Sequence, residues 1–238
     1  FEHMAYDQFY QKKLILTTFD IEHLKYLYDA DIKYVDQQIG KFFDYLQKNQ
    51  LWDDSLIIIT ADHGEEFMEH QGLLHGTTLY LEELRVPLLI KLPGQSEPRT
   101  IREIVEFLDL APTILELMGI PIPSSFTGKS FAPLIKGQNW QSKNYYYASC
   151  HHFQDLQKAL RDDRYTLIYF PEKDIVKLFD RQADPGEQID ISQQDPARTQ
   201  LMLSQIKAQM KKNGESSPQK SLKREIIDRQ TLRALGYI

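Results

Sequence analysis

The chain has 238 residues, of which 42% are hydrophobic, and its formal net charge is −6. This length and apolar content suffice for a globular protein with one core or a little more, and the negative charge argues against a general nucleic-acid-binding surface. No stretch approaches the roughly 18 consecutive apolar residues of a membrane span, and a single cysteine, Cys150, excludes an intramolecular disulfide framework.

The first predicted element is a long helix. Residues 1 to about 20 are interpreted as the remainder of a preceding segment. Apolar residues then recur at spacings of three and four over residues 24–46, which defines one helical face. We expect this face to pack in the core. The acids of the helix are interpreted as solvated or ion-paired groups, for example Asp29 with Lys33 at i,i+4 spacing.

A continuous aliphatic run, residues 56–59, follows the helix and leads to an Asp-His-Gly triplet. Such a run is typical of a strand buried on both faces of a parallel sheet, and open α/β sheets bind ligands beyond the carboxyl ends of their strands. The carboxylate of Asp62 and the imidazole of His63 are good ligands for a divalent cation, and Gly64 permits a sharp turn. By itself the triplet fits an ordinary strand-to-loop turn equally well.

Residues 64–76 form a loop that is rich in acids and histidines. Loops of this length in a compact domain usually carry function. His75 begins a second His-Gly pair, twelve positions after His63. His70 has two open interpretations, a side chain hydrogen-bonded to backbone or a group that supports a metal ligand.

Two further elements complete the first part of the chain. Residues 86–92 are predicted to form a second buried strand, and residues 101–119 a helical region that stops at Gly119. The order strand, helix, strand, helix predicts a mostly parallel sheet with right-handed crossovers.

After Pro121 the sequence changes to a turn-rich linker, followed by short β-rich runs. These runs predict an antiparallel sheet, with strands at residues 144–149, 165–170 and 176–179. Asp195 and Pro196 have the character of a helix cap and first helical residue, and the helix is predicted to reach Lys212.

Several separate motifs occupy residues 28–40, 60–67, 69–70, 75–76, 79–88 and 109–120, the segments around 177–187, and the closing Leu-Arg-Ala-Leu-Gly-Tyr-Ile. In these motifs, and in their order, the chain resembles the sulfatase family of the alkaline phosphatase superfamily. The resemblance implies part of an alkaline-phosphatase-like α/β sandwich with a mostly parallel sheet, plus a small C-terminal antiparallel sheet with a packed helix. It assigns residues 1–136 to the C-terminal half of the catalytic domain and residues 137–238 to a small α+β subdomain and tail.

The family's nucleophile is missing from this sequence. In the family it is a cysteine or serine of a Cys/Ser-x-Pro-x-Arg motif, oxidised to formylglycine, upstream of the Asp-His strand. Cys150 lacks the following Pro and Arg and comes after that strand, so we interpret it as a small packed hydrophobe. The neighbouring His151 and His152 border a strand and could face the active-site cleft of the sulfatase fold. We interpret the chain as the C-terminal portion of a sulfatase-like enzyme and expect it to be inactive alone, with formylglycine supplied by the missing N-terminal portion.

The resemblance implies a metal-dependent hydrolase of sulfate esters. A divalent cation would stabilise the anionic transition state of a small-molecule sulfate or phosphate ester. Asp62 and His63 would supply half of its ligands, and His75 would either contact the ester oxygens or protonate the leaving alkoxide. The family also suggests a periplasmic or extracellular location, while membrane contact is left open.

Two departures from the sulfatase pattern keep alternatives open. His63 stands where calcium-dependent sulfatases commonly have Asn, and Thr77 and Thr78 stand where many sulfatases place a lysine for sulfate binding. Both departures fit a phosphodiesterase, phosphonate monoester hydrolase or phosphotransferase of the same superfamily. The metal is therefore Mn, Zn, Ca or Mg, and imidazole shifts the preference towards Mn or Zn. A third hypothesis is a non-catalytic binding or assembly module.

Overall fold

A computed structural model of the chain describes residues 15–150 and 156–215, and all structural statements refer to them. The N-terminal segment, the pair His151 and His152, and the tail lie outside the described residues. In chain order the elements are α1 Thr18–Lys48, β1 Ile57–Thr60, β2 Glu66–Phe67, β3 Leu73–Leu74, α2 Leu81–Leu84, β4 Leu88–Lys91, a 3₁₀ turn Phe107–Asp109, α3 Leu110–Leu117, α4 Ala132–Ile135, β5 Tyr146–Cys150, β6 Gln157–Arg161, β7 Tyr165–Phe170, β8 Ile175–Asp180 and α5 Pro196–Lys212. Of the helices in these ranges, none is long and apolar enough to cross a bilayer.

The long helix α1 begins where a capping box fixes its start. The Asp20 amide donates to Thr17 Oγ1 at 3.2 Å, and the Thr17 amide donates to Asp20 Oδ2 at 2.8 Å. Of the α1 side chains only Leu46 is buried, while Ile32 and Val35 are each 52% exposed. The prediction that this face lies in the core is therefore wrong within the described part of the chain, because no described element covers most of it.

Strands β1 and β4 pair antiparallel, with Ile57 opposite Lys91 and Thr60 opposite Leu88. The predicted parallel pairing is wrong for these two strands. The chain leaves β1 at Thr60 and re-enters the sheet at Leu88, the same end, so the connection never crosses to the opposite end as a parallel pair requires. Both strands are also less buried than predicted, since β1 is half-buried and Leu89 of β4 is 57% exposed.

The predicted C-terminal sheet is present, with four antiparallel strands in the order β5-β6-β7-β8. Helix α5 packs on this sheet, and Met202 and Ile206 join a core cluster with Leu167 and Leu178. The α/β class and the small antiparallel sheet with a packed helix are confirmed. Strand β6 was not predicted, although all five of its residues are buried.

This sheet also holds the segment that follows His75. Gln157 Nε2 donates to the carbonyl oxygen of Thr77 at 2.7 Å, and Arg161 Nη2 donates to the carbonyl oxygen of Leu79 at 2.9 Å. The next contact comes from the loop after β8, where Glu187 Oε2 accepts from the Leu81 amide at 3.0 Å. The segment between β3 and α2 is thus fixed by hydrogen bonds to residues far along the chain.

Candidate metal and catalytic site

Asp62 and His63 lie just beyond the carboxyl end of β1, as predicted, and both are exposed. His63 Nδ1 lies 2.8 Å from the Gly64 carbonyl oxygen, a hydrogen bond that places the ring proton on Nδ1 and leaves a lone pair on Nε2. His63 Nε2 is 3.6 Å from Asp62 Oδ1.

His75 reaches the same place through a small hairpin. Strands β2 and β3 pair Glu66 with Leu74 and Phe67 with Leu73, and continuing this register places residue 65 opposite residue 75. The imidazole of His75 stacks on that of His63, with ring centroids 3.8 Å apart and an angle of 27° between the planes. The hairpin therefore brings His75 to Asp62 and His63, and these are the three residues that the sequence predicted for the site.

Glu65 is the partner of His75 that the sequence analysis did not single out. Its Oε2 lies 3.2 Å from His75 Nδ1. This hydrogen bond raises the pKa of His75, against the opposing effect of partial burial, and the nearby negative charges of Glu83 and Asp62 act in the same direction. The other loop acids offer the same residue type, so only the hairpin register distinguishes Glu65.

The donor atoms of this site fit a divalent cation. One ligand atom each from His63, Glu65 and His75 lies within 4.8 Å of the others. Glu65 Oε1 is buried and has no hydrogen-bond partner among the described residues. A buried carboxylate oxygen without a partner is costly, and a cation is one group that would satisfy it. An imidazole nitrogen beside carboxylate oxygens suits a transition metal such as Zn or Mn better than Ca.

Both glycines of the two His-Gly pairs are required by geometry. A Cβ on Gly64 would lie 1.8 Å from the carbonyl oxygen of Glu82, so the turn after His63 packs directly on the backbone of α2. Gly76 has φ of +80°, in the left-handed region that favours glycine. The backbone on the C-terminal side of each histidine is thus tightly constrained.

His70 belongs to a different cluster. Its Nε2 lies 2.9 Å from the Glu187 carbonyl oxygen, its Nδ1 contacts Glu82 Oε1, and its ring stacks on Tyr80 at a centroid distance of 3.5 Å. Burial lowers the pKa of His70, but the hydrogen bonds to Glu82 and to the Glu187 carbonyl outweigh it and leave the pKa raised. Of the two interpretations of His70, these contacts support the hydrogen-bonded structural one.

Cys150 is half-buried in β5 and packs beside the cluster that contains Ala159 and Ile168. Its Sγ donates to the Gly76 carbonyl oxygen at 3.3 Å. The interpretation of Cys150 as a packed small side chain is confirmed, and the residue adds a contact beneath the His75 turn.

Comparison with known proteins gives matches along most of the chain. The family described as Sulfatase matches residues 3–120, and the family described as N-sulphoglucosamine sulphohydrolase, C-terminal, matches residues 69–216. The chain is 31% identical over 202 residues to the multifunctional alkaline phosphatase superfamily protein PehA of Trinickia caryophylli, which covers 77% of this chain and 39% of that protein. It is 27% identical over 207 residues to arylsulfatase K of Xenopus laevis, which covers 79% of this chain and 37% of that protein.

The fold is similar to that of the phosphonate monoester hydrolase SpPMH from Silicibacter pomeroyi. The TM-score is 0.75 at 26% sequence identity, and the similarity covers 85% of this chain and 44% of that one. The chain thus spans less than half the length of these two relatives and of this solved structure.

Proposed function

Since this chain belongs to the sulfatase family of the alkaline phosphatase superfamily, as its motifs predict, and corresponds to a C-terminal portion of that fold, we propose that its protein is a metal-dependent hydrolase of sulfate esters. The observation that carries this proposal is the convergence of Asp62, His63, Glu65 and His75 at the end of β1. The chain covers 39% of the length of PehA. We therefore assign the formylglycine nucleophile and the remaining metal ligands to residues outside this chain.

The side chains of this site have distinct tasks in the proposal. Asp62, His63 and Glu65 would hold the divalent ion, which when bound supplies Lewis-acid stabilisation of the negative charge that develops on the ester oxygens. His75 Nδ1 faces Glu65, so its Nε2 is the atom left to contact substrate. There it hydrogen bonds an ester oxygen or delivers a proton to the leaving oxygen.

A second candidate function is hydrolysis of a phosphodiester or phosphonate monoester. The observation in its favour is the imidazole of His63 among the proposed ligands, which suits Mn or Zn better than Ca. The similarity to a phosphonate monoester hydrolase points the same way. In this case the nucleophile outside the chain could be Thr or Ser.

The deciding experiment uses the complete protein that contains this chain. Turnover of an aryl sulfate, a bis-aryl phosphate and an aryl phosphonate is compared after loading with Mn, Zn, Ca or Mg. We expect the aryl sulfate to be preferred and Asp62→Ala to abolish turnover. Preference for either phosphorus ester would replace the sulfatase proposal by the second candidate, and absence of turnover with every substrate would support a non-catalytic module.

A further inference from the structure

Glu83, in the short helix α2, contacts both histidine-bearing turns of the site. Its backbone carbonyl accepts from the amide of Gly64, the residue after His63, at 2.7 Å. Its side-chain Oε2 accepts from the amide of Gly76, the residue after His75, at 2.7 Å. One residue thus connects two turns that are separated by the whole β2–β3 hairpin.

The Glu83 carboxylate holds the segment after His75. Oε1 accepts from the Thr78 amide at 3.1 Å, from Thr78 Oγ1 at 2.8 Å and from Thr77 Oγ1 at 3.4 Å. The residue is 4% exposed, and a carboxylate buried to this extent is tolerated only when such donors satisfy it. An acid on a short helix would ordinarily point to solvent, whereas this one points inward to residues 76–78.

The backbone around His75 needs such a restraint. Leu74 and Gly76, on either side of His75, both have positive φ, +69° and +80°. A left-handed leucine is strained, and strained residues persist only when surrounding contacts over-determine them. The hydrogen bond from the Gly76 amide to Glu83 is one such contact, and it acts directly beside the catalytic candidate.

We propose that Glu83 is a positioning residue that fixes His75 against His63 and thereby sets the geometry between the metal ligands and the group that contacts the ester. This inference rests on the proposed function. Both oxygens of its carboxylate accept hydrogen bonds from residues 76–78, so Glu83 acts on His75 through the backbone turns.

The decisive variant is Glu83→Gln. A carboxamide has one acceptor oxygen, so its NH₂ group would face either the Gly76 amide or the Thr78 donors, and that hydrogen bond is lost. His75 then moves away from His63. A displacement of about 1 Å at a reacting group can lower kcat about 100-fold, and loss of a residue that orients ligands typically weakens metal binding about 10- to 100-fold.

Two measurements test the inference. In the 238-residue chain with labelled histidines, the NOE between the His63 and His75 rings and the affinity for Zn²⁺ by calorimetric titration should both fall in Glu83→Gln. In the complete protein kcat should fall while KM changes little. The matched control is Glu82→Gln, which removes the neighbouring carboxylate that contacts His70 and should keep the ring-to-ring NOE.

A second variant covers the case in which Glu83→Gln does not fold. Thr78→Val deletes one hydroxyl that donates to Glu83 Oε1, and we expect a smaller loss of the NOE and of kcat in the same direction. A folded Glu83→Gln or Thr78→Val protein with a wild-type NOE and wild-type kcat would overturn the inference. The proposed function would survive that result if Asp62→Ala still abolished turnover, so the two failures are distinguishable.

Discussion

The burial of the Glu65 carboxylate is not explained by its contacts with other described residues. Its side chain is only 16% exposed, Oε2 contacts His75, and Oε1 is buried with no described partner. A carboxylate in this state is expected to be retained for what it binds rather than for stability. We infer that it serves as a third ligand beside Asp62 and His63.

We expect Glu65→Gln to weaken Zn²⁺ and Mn²⁺ binding by the chain about 10- to 100-fold, because an amide oxygen is a poorer ligand than a carboxylate. Calorimetric titration of both ions measures this. The matched control is Glu69→Gln, an exposed acid of the same loop, which should bind as wild type. Equal affinities in Glu65→Gln and wild type would limit Glu65 to orienting His75.

His70 gives a pH-dependent contribution to stability. Burial alone lowers the pKa of His70, but the Glu82 carboxylate and the Glu187 carbonyl raise it above its ordinary value of about 6.5. His70 therefore binds its proton more tightly in the folded state than in the unfolded state. The contribution of His70 to the free energy of unfolding is fully present below about pH 6.5 and is lost as the pH rises through the raised folded-state pKa.

We therefore expect the difference in unfolding free energy between wild type and His70→Gln to shrink as the pH is raised from 6 towards 9. Urea unfolding at a series of pH values measures this difference. The other groups that face His70 are the Tyr80 ring, the Gln188 amide and the Glu66 carboxylate. His23→Gln, an exposed histidine on α1, is the control, and a pH-independent difference for His70→Gln would show that the pKa of His70 is the same in the folded and unfolded states.

At the scale of elements, the C-terminal sheet with α5 is the support on which the His75 segment rests. Ile206 of α5 is fully buried against this sheet. We expect Ile206→Ala to lower the free energy of unfolding by about 2 to 5 kcal/mol through lost burial and a cavity. Leu201→Ala, in the same helix at 50% exposure, should change it by no more than about 0.5 kcal/mol. Equal effects of the two substitutions in denaturant titrations would contradict the packing of α5 described here.

Elements whose signals are local were predictable from the sequence. Asp195 caps α5 by accepting from the Arg198 amide at 3.0 Å, and Pro196 is its first residue. Strand β6 escaped prediction because its sequence Gln-Lys-Ala-Leu-Arg lacks β-branched residues. Its cations are buried because distant acids meet them: Lys158 pairs with Glu215 and Arg161 with Glu187. No periodicity within five residues encodes such partners.

The residues of the candidate site were likewise predictable only where their signal is local in the sequence. Asp62, His63 and His75 stand out as residue types at the end of a strand and in a functional loop. Glu65 does not stand out, because its role follows from the register of a hairpin of two-residue strands that have no recognisable pattern. The direction of β4 was mispredicted for a related reason, since the connection between β1 and β4 contains only this hairpin and the four-residue α2.

At the scale of the whole molecule, the largest unexplained feature is the apolar face of α1. Phe42 is 54% exposed and Ile32 is 52% exposed, although the spacing of the apolar residues is that of a core-facing helix. Monomeric proteins rarely expose large contiguous apolar patches. Because the chain spans 39% of the length of PehA, we propose that the remainder of the protein, which would carry the nucleophile, covers this face of α1.

This proposal predicts that one substitution reduces association of the chain alone and destabilises the complete protein. We expect the 238-residue chain to self-associate through this exposed apolar face. Ile32→Asp should reduce that association, because it places a charge in the face. In the complete protein the same change should lower the unfolding midpoint, because a charge buried against the remainder of the protein lacks a partner. Sedimentation velocity of the chain and thermal unfolding of the complete protein measure the two effects.

Asp31→Asn, at the adjacent exposed position, is the matched control and should be close to neutral in both contexts. An unchanged midpoint of the complete protein with Ile32→Asp would mean that the apolar face of α1 stays exposed there.

Helix α1 also contacts the hairpin of the candidate site, where Tyr28 packs on Phe67 at a centroid distance of 5.3 Å. Because the formylglycine nucleophile is assigned to the remaining chain, the 238-residue chain alone should turn over neither aryl sulfate nor bis-aryl phosphate.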